Sequence, residues 1–164
     1  MAFEVKTREA QTLFGKVWEG SFEGAAAGHV KTVVADMERR RNRLAAGRSD
    51  AAGLVGISWN NIPGGFRYLV ALPPELSGQG EAEGLQAFSF PEMRFATAWH
   101  EATDGDVFAH YERMFAWIEE NEFRRVTDIL HHREEYPAGL DLDSPPRLRL
   151  MTPLASLSAA SSGT

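Results

Sequence analysis

One order of elements occurs twice along this 164-residue chain. Residues 3–22 alternate imperfectly, with Phe14, Trp18 and Phe22 at one parity, and read as a long or interrupted strand bent near Gly15 and Gly20. Residues 25–46 place Val30, Val33, Val34, Met37 and Leu44 at helical spacing, with Gly47 and the Arg-Ser-Asp after it as the stop. Two apolar runs follow, 54–60 and 66–72, joined by NIPGG, which suits an antiparallel reversal. After Pro73-Pro74 and a Gly/Glu/Gln-rich crossover at 77–84 the order returns: a strand over 85–101 kinked near Pro91, a helix over 106–121, then strands over 126–136 and 147–154. The second helix carries Val107, Phe108, Tyr111, Phe115 and Ile118 on one stripe.

A βαββ unit used twice defines an α+β fold: antiparallel sheets, two helices outside them and a central groove between the halves. The duplication lies in element order and length, not in residue identity. With 43% hydrophobic residues the chain can fill one core, so a single domain over 1–155 is expected, with pseudo-repeats at about 1–75 and 84–155 and a flexible Ser/Ala/Gly tail at 156–164.

Charge and composition narrow the partners. A net charge of -6 has the wrong sign for phosphate backbones, and no helix-turn-helix precedes the first strand, so no direct nucleic-acid partner is expected. The opening FEVKTREAQ is unlike a signal peptide and no apolar run reaches the roughly 18 residues of a membrane span, so a cytoplasmic protein without a membrane partner is expected. Cysteine is absent, which removes disulfides and thiolate chemistry. The basic run at 38–43 reads as a solvated helix face, and the tail serines lack any nucleophile elbow.

The chemistry concentrates in HHREEYP at 131–137. In a strand, Leu130, His132, Glu134 and Tyr136 share one face, and Ile129, His131, Arg133 and Glu135 the other. Adjacent histidines therefore cannot chelate one ion together. His132 and Glu134 offer two ligands, but no further ligand cluster stands at recognisable spacing and HExxH is missing, so neither a metal site nor a cofactor is expected. Arg133 and Glu135 read as charges on an exposed edge strand.

Four stretches together resemble the GyrI-like effector-binding domains that occur alone or behind the DNA-binding domains of AraC- and MerR-type regulators. GISWNN with FRYLVALP is similar to the family's paired strands, FSFPEMRFATAWHEA to its kinked strand, AHYERMFAWIEENEF to its second helix, and HREEYP with RLRLMTPL to its closing Glu-x-Tyr and final strands. They span roughly residues 3–155. The chain departs from the pattern at His100-Glu101-Ala102, where the family commonly carries glycine and this sequence delays it to Gly105.

The resemblance implies that Glu134 looks into a ligand cavity with Tyr136 beside it, and that the guest is an aromatic, often cationic, small molecule. Trp18, Trp59, Phe66, Tyr68 and Trp99 lie on expected strands and complete the candidate ligand-binding set, Trp59 and Trp99 foremost. Trp117 and Phe123 are expected to pack. Some members of the family resemble hydrolases that open cyclopropane rings of DNA-alkylating natural products; on that alternative Glu134 is the general base and Tyr136 positions the substrate.

Overall fold

The computed structural model describes residues 3–46, 52–76, 84–145 and 147–156. The 77–84 crossover up to residue 83, the helix stop from Gly47 and the tail after Ser156 lie outside the described residues. The elements are β1 (Glu4–Arg8), β2 (Gln11–Ser21), α1 (Phe22–Ala26), α2 (His29–Leu44), β3 (Val55–Ile62), β4 (Gly65–Ala71), β5 (Gln86–Phe90), β6 (Met93–His100), α3 (Val107–Glu120), β7 (His132–Glu135) and β8 (Leu148–Leu154).

All eight strands join one antiparallel sheet in the order β1-β6-β8-β7-β3-β4-β2-β5. Exchanging the halves, β1 for β5, β2 for β6, β3 for β7 and β4 for β8, reverses this order and reproduces it. The duplicated reading is therefore a pseudo-twofold whose axis passes between β7 and β3. Each half lends its first strand to the other: β1 pairs with β6, and β5 with β2. The two halves are thus interlocked by backbone hydrogen bonds.

Both long helices cover the same sheet face. Val34 and Met37 of α2 pack with Tyr68, Val70 and Leu72, while Met114 and Ile118 of α3 pack with Ala96, Ala98 and Leu150. The opposite face buries Leu13, Ile57, Leu69, Phe95 and Met151 completely or nearly so. No helix of the described residues covers it, so these side chains are buried by the sheet curling on itself, as twisted strands allow.

Four expectations change. The first helix breaks at Gly28, whose φ of 91° suits glycine, and Ser21 caps the short α1 by accepting from the Gly24 N–H. In the 38–43 run, Glu38 and Arg41 are buried, because Arg41 Nε reaches the Ala52 carbonyl at 2.8 Å; only part of that face is solvated. The strand expected over 126–136 shrinks to β7: the Trp59 indole takes the Ile129 carbonyl at 2.9 Å and His131 Nδ1 takes the Asn60 N–H at 3.0 Å, so side chains consume the groups a ladder requires.

Arg133 and Glu135, lastly, are not on an exposed edge. β7 lies inside the sheet between β8 and β3, and Arg133 is 4% exposed. Its guanidinium donates to Glu135 at 2.9 Å, where Arg8 also donates twice at 2.8 Å and Arg149 stands at 3.4 Å. Against the opposing effect of its burial, the guanidinium groups of Arg8 and Arg133 hold the Glu135 carboxyl below the usual carboxylate range.

Candidate functional site

Between α1–α2 and α3, on the helix-covered face, the sheet floor opens into a cavity of about 370 Å³. Strand parity sends Glu134 there, with His132 on the same face of β7 and Tyr136 just beyond its end. Glu134 is half-buried, its remaining exposure being to the cavity. Tyr68 from β4 donates to its Oε1 and Tyr111 from α3 to its Oε2, each at 2.8 Å. The Tyr136 hydroxyl stands 2.8 Å from that of Tyr68.

These bonds have a direction. Tyr68 has one proton and gives it to Glu134, so Tyr136 must donate to Tyr68. Two hydroxyl protons then point to the carboxylate and the third to the Tyr68 oxygen, so the three tyrosines turn only lone pairs toward a guest. Burial pushes the Glu134 carboxyl up from its ordinary value, and the two tyrosine bonds act against that rise. Burial and the neighbouring carboxylate push Tyr68, Tyr111 and Tyr136 up as well, so all three remain protonated donors.

The walls are apolar. Phe22 and Phe66 stand on one side, Val107, Phe108 and Phe115 on the other, and Phe22 and Phe108 are 44% and 70% exposed at the mouth. His132 packs against Tyr111 with ring centroids 4.1 Å apart and lies nearly parallel to Phe115 at 6.0 Å. Burial, helped by the charge of Arg125, pushes the His132 imidazole down to about 4. It is neutral at pH 7 and acts as another aromatic wall. Glu112, exposed on α3, adds a second carboxylate to the lining.

Of the residues singled out from sequence, Glu134, Tyr136, Tyr68 and Phe66 meet in this cavity, whereas Trp18, Trp59 and Trp99 do not line it. Trp18 lies behind the wall, against Phe66 at 5.3 Å. Trp59 points to the other sheet face, where it packs with Phe88 at 5.4 Å and Phe90 at 6.2 Å. Trp99 is flanked by the guanidinium groups of Arg147 and Arg149 at 4.7 and 4.8 Å and is partly exposed. Parity explains the exchange: Trp59 is one residue from Ser58, which does face the cavity, and one step along a strand reverses the face. Tyr111 and Phe115, which the sequence places on the apolar stripe of the second helix but not in the candidate site, also line the cavity. The usable signal was a tyrosine in a buried helical stripe, because its hydroxyl requires an acceptor.

Gly56 makes the carboxylate accessible to Tyr68. It sits opposite Glu134 in the β3–β7 ladder, and a Cβ built there would occupy the space of the Tyr68 hydroxyl. Gly56→Ala is expected to displace Tyr68 from Glu134 and to lower stability by about 1–3 kcal/mol, the usual cost of overpacking. Urea unfolding measures the loss; a neutral result would mean that the ring can shift without disturbing the sheet.

An acidic, aromatic cavity between two helices and the floor of a pseudo-symmetric sheet defines a small-molecule binding domain. The chain belongs to the family described as GyrI-like small molecule binding domain, whose profile matches residues 1–154. Among solved structures it is similar to SAV2435 bound to tetraphenylphosphonium, at 14% identity and a TM-score of 0.64, with all of both chains covered. It is also similar to the EcmrR C-terminal domain, at 13% identity and a TM-score of 0.60 over 95% of this chain and 98% of that one. A hydrolase from Listeria innocua matches at 13% identity and a TM-score of 0.56, with 93% and 91% covered. At these identities the likeness is one of fold. No curated protein is a significant sequence match to the chain.

Proposed function

We propose that this protein binds aromatic cations, with Glu134 as the counter-charge and the rings of Phe22, Phe66, Phe108 and Phe115 as the walls. The supporting observation is the hydrogen-bond direction at Glu134: its tyrosine partners have spent their protons, so the cavity floor offers negative charge and lone pairs. A guest that brings positive charge, or N–H and O–H donors, recovers the hydration that the buried carboxylate lost. The tetraphenylphosphonium bound to SAV2435 is an aromatic cation of this kind.

The direct test compares tetraphenylphosphonium with tetraphenylborate, which has the same shape and the opposite charge. Calorimetric titration is expected to show binding of the cation and none of the anion. Equal affinities would remove Glu134 from recognition and leave shape alone.

A second reading is hydrolysis. Each Glu134 oxygen keeps a lone pair after accepting its tyrosine bond, and burial raises the affinity of the carboxylate for a proton, as a general base requires. On this reading an alkylating cyclopropane substrate occupies the same cavity, and water is activated by Glu134 while Tyr136 orients the substrate. Formation of a ring-opened product is the distinguishing observation.

A further inference from the structure

We propose that His100, Asp104 and His110 form a binding site for one late first-row divalent cation, with zinc as the reference ion. The three come from the end of β6, the 3-10 turn at Ala102–Asp104 and the beginning of α3, and one potential ligand atom from each lies within 4.8 Å of the others. His100 and His110 are 1% and 0% exposed, and their Nδ1 atoms face each other at 2.8 Å. None of the three lines the cavity around Glu134.

Two imidazole nitrogens aimed at one point can share a proton or a metal ion. Zinc–nitrogen bonds of about 2.0–2.1 Å in a tetrahedron place the two nitrogens about 3.3 Å apart, so the rings need to separate by only about half an ångström. A shared proton accounts for the histidine pair; the carboxylate beside it closes a capping box with Glu101, which fixes it within reach of both rings. Asp104 is held in place on both sides: its Oδ2 accepts the Glu101 N–H at 2.9 Å, and its backbone carbonyl accepts from Arg113 at 2.8 Å. The result is a set of two nitrogens and one oxygen, with the half-exposed Asp104 side leaving a fourth position for water.

The outer shell is incomplete. His110 Nε2 is buried without a hydrogen-bond partner, and its ring has Phe3 as an edge-on neighbour at 5.7 Å. Lacking the usual acceptor behind a ligating imidazole, the site is expected to be about 10- to 100-fold weaker than a fully supported one.

The test titrates the EDTA-treated full chain with Zn²⁺ by calorimetry and with Co²⁺ by visible spectroscopy. One equivalent is expected to bind, with Co²⁺ bands of a four- or five-coordinate nitrogen/oxygen site. His100→Gln should abolish uptake and Asp104→Asn should weaken it tenfold or more. Because His100 is buried, ¹⁵N NMR of the wild-type imidazoles supplies a readout that needs no variant: Zn²⁺ should shift the Nδ1 resonances of His100 and His110. Absence of uptake overturns the site, as does uptake that survives both substitutions or that shifts other histidines instead.

Discussion

Glu134→Gln is expected to lower affinity for tetraphenylphosphonium by about 10- to 100-fold while leaving the fold as stable as before or more so. Removing the charge partner of a buried cation costs about 2–5 kcal/mol in protein interfaces, and the lower end applies here because the cavity mouth is open to water. The amide is nearly isosteric, so the aromatic walls keep their shape. Tyr68 or Tyr111 must turn its hydroxyl to accept from the new NH₂ group, a rearrangement each can make. Stability does not suffer, because the variant no longer carries an ionised carboxylate into a desolvated site. If the protein is instead a hydrolase, the same variant keeps its substrate and loses turnover, and the two assays separate the readings.

The pH dependence has a defined sign. The Glu134 carboxyl is raised in the folded state, so between its unfolded and folded values the native protein holds more protons than the unfolded chain. In that window its contribution to stability falls as pH rises, while affinity for a cation grows as the carboxylate ionises. Both slopes should vanish in Glu134→Gln, as measured by thermal unfolding and by calorimetry over a pH series. A cation affinity that ignores pH in the wild type would place the counter-charge elsewhere, with Glu112 the first alternative at the cavity.

Glu135→Ala is expected to act in the opposite way, lowering stability by about 3–5 kcal/mol with little change in cation affinity for the molecules that remain folded. Arg8, Arg133 and Arg149 all converge on this carboxylate, and Arg133 is almost wholly buried. Without Glu135 the arginines repel one another, and that of Arg133 is left uncompensated inside the sheet. Replacing Arg133 and Glu135 together by apolar residues should cost less than Glu135→Ala alone, because the most deeply buried of the charges, Arg133, is no longer orphaned. Urea unfolding of the single and double variants measures the difference. A loss below about 1 kcal/mol, the range of exposed ion pairs, would show that solvent already screens the cluster.

Two neighbouring glutamates thus have different surroundings, tyrosine hydroxyls for Glu134 and guanidinium groups for Glu135. The alternation of HHREEYP was sufficient to separate them, since residues one apart on a strand face opposite ways. It could not say what lay over each face. An isolated stretch rich in charge reads equally well as an edge strand, and only the pairing of β7 with both β3 and β8 reveals that Arg133 is enclosed. The tryptophans stand away from the cavity for the same reason. Trp59 and Trp99 sit on strands as expected, but whether a strand side chain meets ligand, core or arginine depends on which face the helices cover.

What the sequence determined by itself is the part written in short-range periodicity: an order of elements used twice, though each expected first strand is two (β1 and β2, β5 and β6), the second helix nearly to its ends, and the shared face of His132, Glu134 and Tyr136. The tertiary structure alone decided which distant groups meet. It joined β1 to β6 and β5 to β2 across the two halves, brought Tyr68 and Tyr111 to opposite oxygens of Glu134, and set Gly56 where any larger residue would block one of them. Periodicity repeats over two to four residues and is therefore visible along the chain. Contacts across 23 and 66 residues exist only once the sheet has closed and both helices lie on one side of it.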